Sequence, residues 1–152
     1  MRSIYKIVVC SLLTLSITSC EKDLLEKEQY QKEIYLIGAY NRVWTTEVSY
    51  SNEEVKTYFT VSSSGTLALD RDVNVKMKIN EELVDIYNKK YWTVLNEDKY
   101  YKSLDTDLYS IPSLENTVIK HAEGISAEVP VLIKTASLKI DQSYVIPVEI
   151  ES

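Results

Sequence analysis

Few residues of this sequence combine a type and a spacing that could do chemistry. The one histidine, His121, stands just before Ala122-Glu123-Gly124. A serine-type nucleophilic site needs such an imidazole buried beside a serine and held by an acid. A turn-flanking position predicts an exposed polar residue instead. The acid pairs Glu53-Glu54 and Glu81-Glu82 are adjacent along the chain. Glycoside hydrolysis needs two carboxylates facing each other across a cleft, about 5–10 Å apart, and Glu81-Glu82 fits better as negative charge in the first turn of a helix. Asp70-Arg71-Asp72 and Asp105-Thr106-Asp107 match only the opening of a calcium loop. Neither continues with the third oxygen ligand, the glycine and the distant glutamate, so both read as loop acids. With three glycines, Gly38, Gly65 and Gly124, there is no glycine-rich phosphate loop. No metal or cofactor and no catalytic residue are expected, and the chain is read as not an enzyme.

Binding chemistry has a better basis. Tyrosine occurs 12 times and phenylalanine once, and Tyr87, Tyr91, Trp92, Tyr100, Tyr101 and Tyr109 gather in one irregular stretch. Tyrosine and tryptophan present an apolar face and a polar edge, which suits partly wet surfaces. Sugars have the matching form, with apolar C–H faces and hydroxyl rims. Trp92, Tyr100 and Tyr101 are the candidate glycan-binding residues. The competing reading has the rings plug the open end of the fold, with hydroxyls reaching solvent.

The elements that must position these rings follow a period of two. Val55, Thr57, Phe59 and Val61 alternate with Lys56, Tyr58 and Thr60. Val73, Val75, Met77 and Ile79 alternate with Asp72, Asn74, Lys76 and Lys78. Ala127, Val129, Val131 and Ile133 make one face of a further strand, and Tyr144, Ile146, Val148 and Ile150 one face of the last. Such alternation puts one face in a core and the other toward solvent, as in antiparallel sheets. Turn signals separate the runs at 62–65, 121–124 and 141–143. Pro130 and Pro147 fall inside strand patterns and predict edges or bulges. Residues 80–91 break the period: Asn80 is a plausible N-cap, acids follow it, Leu83, Ile86 and Tyr87 fall at helical spacing, and lysines close the segment. A short helix is predicted there, followed by a long crossing connection. About seven strands and one short helix make an all-β, immunoglobulin-like antiparallel β-sandwich over residues 34–152, without the usual cysteine pair.

The two cysteines are Cys10 and Cys20. Arg2 and Lys6 precede an apolar run from Ile7 to Ile17, too short to span a bilayer as a mature helix. Ile17-Thr18-Ser19-Cys20 then resembles a bacterial lipobox, which predicts a lipoprotein signal peptide over 1–19 and lipidation at Cys20. Two or more acyl chains anchor stably where one binds marginally, so membrane attachment through the lipid is expected. No thiol is left for a disulfide, a metal or a nucleophile. Residues 20–33 comprise the lipidated cysteine and a densely charged tether. The stretch Cys20-Glu21-Lys22-Asp23 resembles an export signal of surface lipoproteins in glycan-foraging Gram-negative bacteria. An outer-membrane lipoprotein facing the cell surface is expected, the periplasmic face being the other option. The net charge of −6 becomes more negative once Arg2 and Lys6 are removed, which argues against nucleic acid as a partner.

The order of these segments resembles a known family. Asp72-Val73-Asn74-Val75, Tyr87-Asn88 at the helix end, Glu123-Gly124-Ile125-Ser126-Ala127 at a hairpin, and Tyr144-Val145-Ile146-Pro147-Val148 in the final strand together are similar to domain-of-unknown-function family 1735. The resemblance implies an N-terminal β-sandwich of lipoproteins encoded with outer-membrane glycan importers, and it favours packing roles for Tyr87 and Tyr91. It implies a glycan and an importer or other surface lipoproteins as partners, in a polysaccharide-utilisation system. Longer members carry a second, glycosidase-like or carbohydrate-binding module, and the sequence ends at Ser152 without one. The functional expectation is a non-enzymatic glycan-binding or assembly module. The alternative is a structural spacer, or a shortened product, of such a multidomain protein.

Overall fold

The computed structural model describes residues 27–38, 42–92, 94–139 and 142–151. The expected signal peptide, Cys20 and the first part of the expected tether lie outside the described residues. Four strands form the main sheet in the order β1 (Ile34–Leu36), β2 (Glu54–Ser63), β8 (Ser126–Lys134), β6 (Tyr109–Ser110), all antiparallel. Three two-stranded ladders complete the fold. β3 (Val73–Val75) pairs antiparallel with β7 (Thr117–Ile119), and β4 (Met77–Ile79) with β10 (Val148–Ile150). β5 (Lys102–Ser103) pairs with β9 (Tyr144–Val145), and this ladder is parallel. The result is the expected all-β sandwich with one short helix, α1 (Glu82–Tyr91).

The alternation predicted from sequence is the one that builds the core. Val61 and Val129 on the inner face of β2 and β8 meet Val75, Met77 and Ile119 from the facing ladders, with Leu69 between. A second cluster of Leu104, Val131 and Ile133 fills the end near β5 and β9, where Tyr109, Tyr144 and Ile146 pack against it. Phe59 and Ile111 border both clusters and join them.

Three expectations are corrected in detail. The continuous strand at 73–79 is two strands: β3 bonds to β7, β4 bonds to β10, and the chain changes ladder at Lys76. Its period survives the change, so Val73, Val75, Met77 and Ile79 still face inward. The final strand likewise divides at Ile146-Pro147. Pro147 has no N–H to give a ladder, and its carbonyl accepts from the Asn80 amide at 2.9 Å. The turn expected at 62–65 starts later, because Ser62 and Ser63 are buried ends of β2. Their polarity is absorbed locally: the Ser62 hydroxyl donates to the Ile125 carbonyl at 3.1 Å and the Ser63 amide to the same carbonyl at 2.8 Å.

Pro130 sits opposite Tyr58 in the middle of the sheet order. β6 reaches β8 only at Leu132 and Ile133, so β8 is locally an edge at Pro130, as a residue without a ladder donor requires.

Candidate functional site

The ring-rich segment is organised by α1 and by one buried amide. Asn80 starts the helix, its Oδ1 accepting from the Glu82 amide at 3.1 Å and its carbonyl from the Leu83 amide at 3.2 Å. Glu82 and Asp85 lie in the first turn, and Lys89 and Lys90 in the last. That charge order complements the helix dipole. The buried stripe differs from the expected one. Leu83 and Ile86 are 37% and 54% exposed, and the helix turns Val84 and Asn88 into the protein instead. Asn88 is 4% exposed. Its Nδ2 donates to the Tyr101 carbonyl at 2.9 Å, and its Oδ1 accepts from the Tyr101 amide at 3.0 Å. One side chain thus pairs both backbone groups of Tyr101, as a strand neighbour would, and it fixes the returning chain against the helix. The Asn88 carbonyl also accepts from the Trp92 amide at 2.9 Å.

The rings gather around this clamp. Tyr87 lies 4.5 Å from Tyr91, ring centre to ring centre, tilted by 35°, and 5.6 Å from Tyr101 in an edge-on arrangement. Lys90 Nζ stands 5.4 Å from the centre of the Tyr91 ring and Lys99 Nζ 5.8 Å from that of Trp92, within cation–π range. Of the predicted ligand residues, Tyr101 joins the stack through Tyr87, and Trp92 occupies the C-cap of α1 in extended conformation. Tyr100 is half-buried, its amide donating to the Glu97 carbonyl at 3.2 Å. Burial, followed by the neighbouring Tyr101 and Tyr91, raises the Tyr87 phenol above the ordinary tyrosine range. Burial, followed by Glu81, does the same for Tyr109. Trp92 Nε1 and the Tyr109 hydroxyl are buried without a hydrogen-bond partner. Tyr91 is the more open ring of the group, and Val94 and Leu95 beyond it are strongly exposed.

His121 is exposed, and it has an acid partner. Its Nδ1 lies 2.6 Å from Asp72 Oδ1, and its amide donates to the same oxygen at 3.0 Å. These bonds hold the Asp72 carboxyl below its ordinary value of 3.8. A carboxyl lowered in the folded state stabilises above its unfolded value, and that contribution is lost as pH falls through the folded value. Both side chains are half exposed, so the contribution is small. Asp72→Asn should flatten the acid limb of stability as pH falls from the ordinary carboxylate range through the lower folded value of Asp72, as read by urea midpoints. An unchanged acid limb would show that the pair carries no such linkage. Asp72, one of the suspected calcium-loop acids, is therefore committed to His121. Among the described residues no three His, Cys, Asp or Glu side chains gather as metal ligands.

Sequence reasoning passed over other rings. Tyr35, Trp44 and Tyr58 are exposed, although Tyr58 was legible as the solvent-facing residue of its alternating strand. Among the described residues, shallow grooves lie away from the helix end. One of about 540 Å³ lies beside β4, between Lys76–Ile79 and Leu114–Asn116. Another, of about 520 Å³, is lined by Lys56, Tyr58, Glu128 and Pro130 on the outer face of the main sheet.

Comparison with known proteins places the fold. No curated protein matches. A multidomain protein including DUF1735 from Bacteroides ovatus is similar at 16% identity and a TM-score of 0.59, over 67% of this chain and 33% of that one. A structural-genomics protein of unknown function from Bacteroides ovatus aligns at 14% identity and a TM-score of 0.62, over 80% and 40% of the two chains. A candidate carbohydrate-binding protein from Bacteroides ovatus ATCC 8483 aligns at 23% identity and a TM-score of 0.51, over 65% and 26%. The chain thus spans well under half the length of these structures. A family model described as an N-terminal domain matches residues 30–152. The chain belongs to that family, and its domain is of the DUF1735 type.

Proposed function

We propose that the protein is a non-enzymatic, lipid-anchored module of the outer membrane, facing the cell surface, that captures glycan for a polysaccharide-utilisation system. The observation that carries the binding part is the ring group at the end of α1. Asn88 fixes the Tyr101 backbone against α1, which carries Tyr91 and ends at Trp92, and lysine ammoniums stand over two of the rings. Aromatic faces with polar rims suit sugar rings. The candidate carbohydrate-binding neighbour supports the same reading at the level of the fold. The sequence Ile17-Thr18-Ser19-Cys20 supports the anchor. In this reading Cys20 carries the lipid, and partners are a glycan together with a glycan importer or other surface lipoproteins.

The full chain should bind at least one polysaccharide on a broad glycan array. Trp92→Ala, Tyr100→Ala and Tyr101→Ala should weaken binding by about tenfold each where a stacked ring is lost, with the melting temperature followed in parallel. In membrane fractions the wild type should be acylated and retained, and Cys20→Ala released. Absence of binding to any glycan would remove the capture reading, and an acylated Cys20→Ala protein would remove the anchor.

One observation favours a second reading. The matched domain accounts for only a quarter to two fifths of the neighbouring structures' chains. A domain of that kind can serve as a spacer that holds another module away from the membrane. A co-encoded or downstream catalytic module, together with glycan binding that survives every ring substitution, would favour the spacer.

A further inference from the structure

We propose that the outer face of the main sheet is a second glycan-contact surface, built for a neutral, unbranched oligosaccharide and centred on Tyr58. The inference rests on the glycan reading above but is independent of the rings on α1. The register of β2 and β8 fixes the layout. Tyr58 stands directly across from Pro130, Lys56 across from Leu132, Thr60 across from Glu128, and Ser62 across from Ser126. Inner-face residues alternate with these and are consumed by the core, so the Lys56, Tyr58 and Thr60 pairs form one outer surface, which ends at the buried Ser62. Tyr35 stands on the same side of the sheet on β1, across from Ser62.

Two features make this surface unlike an ordinary solvated sheet face. Tyr58 is 50% and Tyr35 44% exposed, so each offers a ring to solvent. Four residues along β2 and one strand across separate them, about 14 Å at strand spacing. That separation fits a short chain of sugars better than a single ring. Thr60 lies on β2 between the two rings and Glu128 flanks Tyr58 on β8, a hydroxyl and a carboxylate, which can pair with sugar hydroxyls. The shallow groove of about 520 Å³ over Tyr58 and Pro130 is bounded by Lys56 at one end and Glu128 at the other.

The charges select the ligand class. Lys56 and Glu128 lie on opposite sides of the Tyr58–Pro130 pair, two rows apart along the strands, too far to neutralise each other directly. A ligand along the groove meets one donor-only cation and one acceptor-only anion. Hydroxyl groups satisfy both, since each can donate and accept. An anionic sugar would face Glu128 and a cationic one Lys56, each with a like charge held nearby. Pro130 also keeps the rim open, because it offers no N–H for another strand to pair with.

The test uses the full chain carrying Cys20→Ser, titrated with uncharged and with uronic-acid-containing oligosaccharides of matched length. Tyr58→Ala, Tyr58→Phe, Lys56→Met, Glu128→Gln and Trp92→Ala are compared. Tyr58 and both charged residues face solvent, so these variants should retain the parent melting temperature. Expected is a preference for the uncharged ligand, a loss of about tenfold on Tyr58→Ala, near-parent binding for Tyr58→Phe, and smaller losses for Lys56→Met and Glu128→Gln. Binding that falls with Trp92→Ala yet ignores Tyr58→Ala would overturn this inference and leave the glycan reading standing. A stronger response to the acidic ligand would overturn the neutral assignment. Tyr58→Ala that abolishes self-association while sparing glycan binding would make the face an interface between copies. No binding of any oligosaccharide would overturn both readings.

Discussion

Asn88→Ala should destabilise the domain by about 2–4 kcal/mol, more than any other single polar change on α1. The substitution removes two hydrogen bonds, each with a net worth of about 1 kcal/mol, and strands the buried carbonyl and amide of Tyr101. Alanine's better helix propensity returns at most about 0.7 kcal/mol, so the polar loss wins. Asn88→Asp is the more informative variant. It keeps an acceptor for the Tyr101 amide but points a carboxylate oxygen at the Tyr101 carbonyl, and it places a charge at a nearly sealed position. It should be at least as damaging as alanine despite its near-identical shape. Chemical denaturation gives the stability change. Near-ultraviolet circular dichroism should show the loss of the Tyr87–Tyr101 arrangement, because the clamp and the ring group share one backbone segment. Unaltered stability for Asn88→Ala would mean that the returning chain is held by something other than this amide.

Ile119→Ala should cost about 2–5 kcal/mol. Ile119 on β7 is fully enclosed at 0% exposure, where the inner face of the main sheet meets the ladders opposite. Deleting its outer carbons loses their transfer free energy and leaves a cavity that three separate strand pairs would have to collapse to fill. The informative contrast is Ile86→Ala. Helical spacing alone groups Ile86 with the core, yet its side chain is more than half exposed. Its replacement should move stability by no more than about 0.5 kcal/mol, with the propensity gain of alanine offsetting what little packing is lost. Equal costs for the two substitutions, measured as urea midpoints, would contradict the placement of α1.

Much of the architecture was readable in the sequence, and the reason is physical. Period-two alternation reports which face of a strand is dry, and this held for 55–61, 73–79 and 127–133, whereas at 144–150 both sides are at least half-buried and Pro147 is the buried residue. It does not report which neighbour supplies the hydrogen bonds. Hence the ladder change at Lys76 was not visible, whereas Pro147 did announce an interruption of the last strand, and about seven expected strands became ten shorter ones among the described residues. The serines at 62 and 63 read as a turn because serine is common in turns. Their hydroxyls are satisfied within the fold, which composition cannot show. On α1 the hydrophobic spacing pointed to Leu83 and Ile86. The true inward residue was an asparagine, whose role depends on a backbone segment 13 residues away. The motif Tyr87-Asn88 was singled out in the sequence, and in this chain Asn88 forms the clamp on Tyr101. Candidate binding rings were legible by type and clustering. Their burial was not, and Tyr58 escaped notice because it lies in a regular strand rather than in the irregular segment.

The proposed function rests on a sandwich that carries a ring group at the end of α1 and the exposed ring of Tyr58 on the main sheet. A polysaccharide panel, scored with the full chain both for retention of the protein and for release of new reducing ends, bears on that function at once. Saturable retention by a neutral polysaccharide, without any release of reducing ends over prolonged incubation, is the predicted result. Release of reducing ends, or a chain that passes through every polysaccharide unretained, would contradict it.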